Sequence, residues 1–103
     1  MTRKIPIICT LTDPELQERR SGILARIGDH LSGRDELENG FSFSFPADDA
    51  VLRELVEVIN LERKCCPFLD FKLKIEAGND LVSLELTGRE GAKETIGNLF
   101  DWK

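Results

Sequence analysis

The sequence predicts a single α+β domain over residues 1–103, a two-layer sandwich of the ferredoxin-like or a related type. Several short segments alternate apolar and polar residues, which is typical of strands that bury one face of a sheet. Longer segments between them carry apolar residues at helical spacing. Because one-sided strands need helices on only one face, the pattern favours α+β over a doubly wound sheet. The predicted order is β-α-β-α-β-β-α.

The N-terminal part of the chain is predicted to form a strand and a helix. Residues 5–10 are rich in β-branched side chains and form the first predicted strand. Thr12 is the predicted N-cap of the helix, Pro14 lies in its first turn, and Glu15 completes a capping box. The helix is expected to end at Gly33. Its apolar stripe consists of Leu16, Ile23, Leu24, Ile27 and Leu31.

The rest of the chain is predicted to form three strands and two helices. Residues 41–45 alternate phenylalanine with serine, which predicts a strand that buries its phenylalanines. An amphipathic helix is predicted over residues 48–64, with acidic residues in its first turn to complement the helix dipole. Residues 68–76 and 81–87 are predicted to form a hairpin, joined by a Gly-Asn-Asp turn. A last helix follows Gly88. Its apolar residues are Ala92, Ile96, Leu99 and Phe100.

Composition and charge narrow the classes of function. The formal net charge of −5 disfavours binding to phosphate backbones, so no nucleic-acid partner is predicted. No apolar run approaches the roughly 20 residues that span a bilayer, and the N-terminal apolar stretch is too short for a signal peptide. We therefore expect a cytoplasmic protein with no membrane partner. A homodimer is compatible with so small a domain, although the sequence identifies no interface.

Two adjacent cysteines, Cys65 and Cys66, follow the second predicted helix and directly precede Pro67. Thiolates are nucleophiles and ligands for soft metal ions. Adjacent Cα atoms are about 3.8 Å apart, below the usual disulfide range of about 4.4–6.8 Å, so a bond between the two cysteines would be strained. The chain also has an odd number of cysteines, three in all. In a reducing cytoplasm we therefore expect thiols and no structural disulfide.

Glu62 lies on the apolar face of the same predicted helix, three and four residues before the cysteines. A carboxylate in this position is unfavourable unless it is paired, ligated or neutral. Two interpretations remain open at this point. Glu62 pairs with a basic side chain such as Arg63, or it belongs to a site with the thiols, as a proton acceptor or an oxygen ligand.

Cys9, the third cysteine, stands near the end of the first predicted strand. If that end lies beside the base of the second helix, the sulfurs of Cys9, Cys65 and Cys66 converge. Three thiolates suit a large soft metal ion or a metalloid, and together with Glu62 they could form a tetrahedral S3O zinc site. The spacing matches no zinc motif. The single histidine, His30, is distant in sequence and is interpreted as a surface or helix-end residue.

Residues 61–71 read LERKCCPFLDF and residues 86–93 read LTGREGAK. These two segments resemble those of a family of small uncharacterised bacterial proteins. They are similar to the E-R-x-C-C-P-F-hydrophobic and L-T-G-x-E-G-x-K patterns of that family, and the start at residues 9–12 is similar too. Arg89 stands where the family pattern has proline. The resemblance supplies no established activity, but it implies an association with mercury and arsenic resistance. The positions that it highlights are Cys9, Glu62, Cys65 and Cys66.

Three functions remain open from the sequence. The leading hypothesis is a small thiol protein that binds a soft metal or metalloid ion through Cys65 and Cys66, with Cys9 as a third ligand and Glu62 as an auxiliary ligand or proton acceptor. The second is an enzyme in which one cysteine is a redox or nucleophilic thiol and the other resolves it. The third is a non-catalytic interaction domain whose cysteines belong to the core, as free cysteines often do.

Overall fold

The structure is a computed structural model that describes residues 13–100, apart from the side chain of residue 99. Its helices are α1 (Pro14–Gly28), α2 (Asp49–Cys65) and α3 (Ala92–Leu99). Its strands are β1 (Gly33–Leu37), β2 (Gly40–Pro46), β3 (Leu69–Ile75) and β4 (Leu81–Gly88). The α+β class is confirmed. The predicted strand at residues 5–10 lies outside the described residues.

The described strands form one antiparallel sheet in the order β1-β2-β4-β3. Since β2 and β3 both pair with β4 in the antiparallel sense, they run parallel to each other, and α2 connects them as a split β-α-β unit. The order of elements is α-β-β-α-β-β-α over these residues, so the predicted order lacks β1. The ferredoxin-like order is not established by the described strands.

Among the described strands, β1 lies at the edge of the sheet, and its sequence, GRDEL, does not alternate apolar and polar residues. Of the described strands it pairs only with β2, and its three central residues are exposed. Charged side chains are common on edge strands, because they prevent pairing with other chains. The hydrophobic pattern that identifies the other strands is therefore missing here.

The core lies between one face of the sheet and the helices. Phe43 and Phe45 of β2 have no exposed surface, and the same holds for Val82, Leu84 and Leu86 of β4. The alternating serines of β2 lie on the other face and are half-buried. Helix α3 packs on β2 and β4, and α1 packs along α2. No helix in the described part of the chain is both long and apolar enough to cross a membrane.

A glycine is needed at Gly40, where β2 closely approaches β4. A Cβ atom at Gly40 would lie 1.9 Å from the carbonyl oxygen of Leu86 and 2.8 Å from the Cα of Thr87. Both neighbours are backbone atoms of the paired strand, so a side chain cannot be accommodated by a rotamer change. Gly33 in β1 differs, since a Cβ there would meet no atom of the described residues within 4 Å.

Helix α1 is shorter than the sequence predicts. Its N-cap is Asp13, whose carboxylate accepts a hydrogen bond of 2.9 Å from the amide of Glu15, whereas the predicted N-cap Thr12 lies outside the described residues. The helix ends at Gly28 instead of Gly33, because the amide of the C-cap residue Asp29 bonds to carbonyls of the last turn. The second predicted helix and the later strands lie within one or two residues of their predicted bounds.

Helices α1 and α2 lie side by side in opposite directions, connected by three arginine–glutamate pairs. Near the start of α1, Arg19 pairs with Glu57. Near its end, Arg26 pairs with Glu54 at 3.1 Å. The arginine side chains of these two pairs are 62% exposed. The third pair joins Arg20 to Glu62 at the C-terminal end of α2, where the arginine side chain is 16% exposed and the glutamate is fully buried.

Candidate functional site

The last turn of α2 and its C-cap place Glu62, Cys65 and Cys66 on the buried side of the helix. The cysteines follow Glu62 by three and four residues, so the three side chains share one face. Glu62 and Cys66 have no exposed surface, and Cys65 is 2% exposed. One carboxylate oxygen and the two sulfurs all lie within 4.8 Å of one another. The structure thus brings three of the predicted site residues together.

The chain leaves the helix immediately after this group. Cys66 is the C-cap residue, with φ −122° and ψ 70°, and its amide donates a 2.6 Å hydrogen bond to the carbonyl of Glu62. Pro67 follows, which disfavours helical geometry at Cys66. The amide of Leu69 then bonds to the carbonyl of Cys66 at 3.1 Å, at the start of β3. These hydrogen bonds hold the backbone of the site on both sides of the cysteine pair.

The carboxylate of Glu62 is paired with Arg20 of α1. The Nη2 of Arg20 donates to the Oε2 of Glu62 at 3.0 Å, and its Nε lies 2.5 Å from Oε1. The second contact lacks the alignment of a hydrogen bond, so Nε and Oε1 are buried polar atoms without a hydrogen-bond partner among the described residues. Arg20 thus balances the charge of Glu62, but Oε1 accepts no hydrogen bond from the described residues.

Arg20 is a site residue that the sequence-based hypotheses do not include. The interpretation that Glu62 pairs with a basic side chain is confirmed, but the partner is Arg20 and not Arg63, which is exposed and bonds to a residue of its own helix. Arg20 lies four residues after Leu16 and three before Ile23, on the apolar stripe of α1. A charged residue in such a stripe needs a buried partner, which is the signal that could have identified it.

Burial and charge control the protonation of the site. The thiol of Cys66 donates to the Oε2 of Glu62 at 3.8 Å. Burial, and then the negative charge of Glu62, raise the pKa of the Cys66 thiol to about 11. Burial also raises the pKa of the Glu62 carboxyl, against the opposing influence of Arg20. At neutral pH Cys66 is therefore a protonated thiol, which is a poor nucleophile.

The two adjacent cysteines differ in oxidation state. Cys65 is part of a disulfide, whereas Cys66 is a free cysteine. They are not bonded to each other, as their spacing predicts. The expectation that the chain has no disulfide is wrong, because three cysteines permit one bond and leave one thiol. Cys9, the remaining predicted ligand, lies outside the described residues.

The group of Glu62, Cys65 and Cys66 does not include His30, the other candidate residue that the structure describes. Within residues 13–100 it is the only group of three or more His, Cys, Asp or Glu side chains whose ligand atoms could hold one ion. His30 is exposed in the turn that follows α1, which agrees with its interpretation as a helix-end residue.

Comparison with known proteins does not assign a function. No protein-family model, no curated protein and no solved structure matches this chain. Its function is therefore inferred from the chemistry of Glu62, Cys65, Cys66 and Arg20.

Proposed function

We propose that the protein is a small cytoplasmic thiol protein that binds a soft metal or metalloid ion. In the reduced protein the sulfurs of Cys65 and Cys66 are the primary ligands, and Cys9 is a candidate third sulfur ligand. Glu62 acts as an auxiliary oxygen ligand or accepts the proton that a thiol releases. The observation that carries the proposal is the convergence of two sulfurs and a carboxylate oxygen within 4.8 Å in the protein interior.

The environment of Glu62 supports a role in binding over a purely structural one. Its Oε1 is buried and has no aligned hydrogen bond from the described residues, and such atoms are rare in native proteins. Its Oε2 accepts hydrogen bonds from both Arg20 and Cys66. Arg20 thus orients the carboxylate from the side of α1, and its contact with Oε1 balances charge without forming an aligned hydrogen bond. Residues that orient metal ligands in this way commonly strengthen metal binding.

The donor atoms determine which ions are suitable. Thiolates are soft ligands that favour Hg(II), As(III) and Zn(II) over the hard ions Mg(II) and Ca(II). Two thiolates and one carboxylate beside one guanidinium carry two net negative charges, which a divalent ion neutralises. Zn(II) would need a fourth ligand, which Cys9 could supply in an S3O set. Because the Cys66 thiol is protonated at neutral pH, binding releases its proton beside Glu62.

Titration of the fully reduced protein with Hg(II), and separately with As(III), tests this function. We expect sub-micromolar binding that is abolished when Cys65→Ser and Cys66→Ser are combined. The variant Cys9→Ser keeps the vicinal pair, so it should retain binding, weakened only by the loss of the candidate third ligand. If neither ion protects the thiols of the reduced protein from a thiol reagent, the proposal is wrong.

The disulfide at Cys65 favours a second candidate function, thiol redox chemistry in which Cys66 resolves a bond formed by Cys65. The burial of both cysteines and the raised pKa of Cys66 weaken this alternative. Alkylation of the folded, reduced protein near neutral pH distinguishes the two. Rapid modification of either cysteine supports the redox enzyme, and resistance of both cysteines excludes it.

A further inference from the structure

We propose that thiol–disulfide exchange at Cys65 switches the ion site between a binding and a non-binding state. This inference rests on the proposed ion-binding function. In the oxidised state the sulfur of Cys65 is bonded to another sulfur and offers no thiolate to an ion. In the reduced state it joins Cys66 and Glu62 as a ligand. The protein therefore holds its ion only when Cys65 is reduced.

The geometry of the oxidised state is already close to that of a binding site. The sulfurs of Cys65 and Cys66 and an oxygen of Glu62 lie within 4.8 Å of one another while the disulfide is present. The backbone of Cys66 is held by hydrogen bonds on both sides, and Arg20 holds the carboxylate. Reduction thus changes the chemistry of one sulfur atom without requiring the site to be assembled.

The oxidised site retains too few donors to hold an ion tightly. Its remaining groups are the neutral thiol of Cys66 and the carboxylate of Glu62, which is already paired with Arg20. The second sulfur converts binding into chelation, and a linked second contact typically strengthens binding by about 10²–10⁴-fold. We therefore expect the oxidised protein to bind As(III) at least about 100-fold more weakly than the reduced protein.

Cys9 is the proposed partner of Cys65, because it is the third cysteine of the chain and Cys66 is free. It lies outside the described residues. A cellular dithiol reverses the bond: the protein S–S bond breaks, the two sulfurs of the dithiol bond to each other, and their two protons pass to the protein sulfurs. Disulfides of cytosolic proteins are usually transient and often sense redox state.

Equilibrium dialysis against arsenite tests the switch. Wild-type protein is compared after air oxidation and after reduction by a dithiol that is then removed under argon, since the dithiol itself binds As(III). The variant Cys9→Ser is treated in the same two ways. Alkylation of the unfolded samples followed by mass spectrometry verifies the thiol count, which should be one in the oxidised and three in the reduced wild type.

The switch is tested by the ratio of the As(III) affinity of the reduced protein to that of the oxidised protein. We expect this ratio to be about 100 or more for the wild type and about one for Cys9→Ser, in which the proposed disulfide cannot form. A ratio near one for the wild type, with the thiol counts verified, overturns the switch and leaves ion binding intact. Absence of As(III) binding in both states overturns the proposed function and the switch with it. An air-oxidised wild type that still has three thiols, or a Cys9→Ser variant that still responds to the dithiol, also overturns the switch as proposed.

Discussion

At the scale of single residues, the ion pair between Arg20 and Glu62 is expected to be sensitive to mutation, because the carboxylate is fully buried. Glu62 has no exposed surface, and burial raises the pKa of its carboxyl even though Arg20 acts in the opposite direction. A buried pair contributes little net stability, but removing one member leaves an uncompensated charge. The ordering of Glu62 beside the cysteines therefore depends on a residue of a different helix.

The variant Arg20→Met is expected to lower the free energy of unfolding by about 3 kcal/mol at neutral pH, because it leaves Glu62 charged and unpaired. A raised pKa disfavours the charged form, so this loss should be largest at neutral pH and shrink as the pH falls and Glu62 takes up a proton. Urea unfolding at about pH 7 and about pH 4 measures both values.

The neighbouring arginine supplies a matched control for that experiment. Arg19 is 62% exposed and pairs with the partly exposed Glu57, so Arg19→Met should change stability by less than about 0.5 kcal/mol. Equal losses for the two variants, or a loss in Arg20→Met that does not depend on pH, would contradict the role assigned to the buried pair.

The Cys66 thiol should make stability fall at alkaline pH. Below pH 9 it is protonated in both the folded and the unfolded chain, so it has no effect on the pH dependence. Between the ordinary pKa of 9.0 and the folded value of about 11, the unfolded chain loses this proton and the folded chain keeps it. The free energy of unfolding should therefore fall by about 2 kcal/mol across this interval, at about 1.4 kcal/mol per pKa unit.

Unfolding of the reduced protein across this pH interval, with Cys66→Ser as the reference, measures that effect. The serine hydroxyl does not titrate in this range, so the difference between the two proteins isolates the thiol. Parallel pH profiles would show that burial does not hold the thiol in its protonated form.

At the scale of secondary-structure elements, the position of the site follows from how α2 ends. The amphipathic face of α2 continues through Glu62 and Cys65 to the C-cap residue Cys66, and Pro67 directs the chain toward β3. The helix therefore presents donor atoms where the other turns of the same face present aliphatic side chains.

The contact between β2 and β4 predicts that two glycine-to-alanine substitutions differ in their effect on stability. Gly40→Ala places a Cβ within 2 Å of a backbone oxygen of β4, and we expect a loss of about 2–3 kcal/mol from the resulting strain. Gly33→Ala meets no atom within 4 Å and should cause no loss, since alanine also restricts the unfolded chain. Thermal and urea unfolding of both variants would test this. Equal effects would show that the close approach does not constrain the sheet.

At the scale of the whole molecule, the sequence predicts the elements whose pattern reflects burial. The phenylalanine–serine alternation predicts residues 41–45, and the structure has β2 at Gly40–Pro46. Strand β1 is not predictable in this way, because its charged residues bury no face. Its formation depends on pairing with β2, which is a tertiary interaction.

The candidate site is likewise only partly predictable from the sequence. The grouping of Glu62 with the cysteines follows from helical spacing alone, because the three residues lie within one turn. The pairing of Glu62 with Arg20 joins two helices across 42 positions of the chain, which local periodicity cannot show. The oxidation of Cys65 likewise depends on which sulfur the fold brings beside it.

X-ray absorption spectroscopy of the reduced protein loaded with Hg(II) tests the central claim most directly, because it identifies the atoms bound to the ion. The proposed site predicts a first shell of two or three sulfur ligands in the wild type. It also predicts loss of that shell when Cys65→Ser and Cys66→Ser are combined. A first shell made only of nitrogen and oxygen, or a sulfur shell that is unchanged in the double variant, would contradict it.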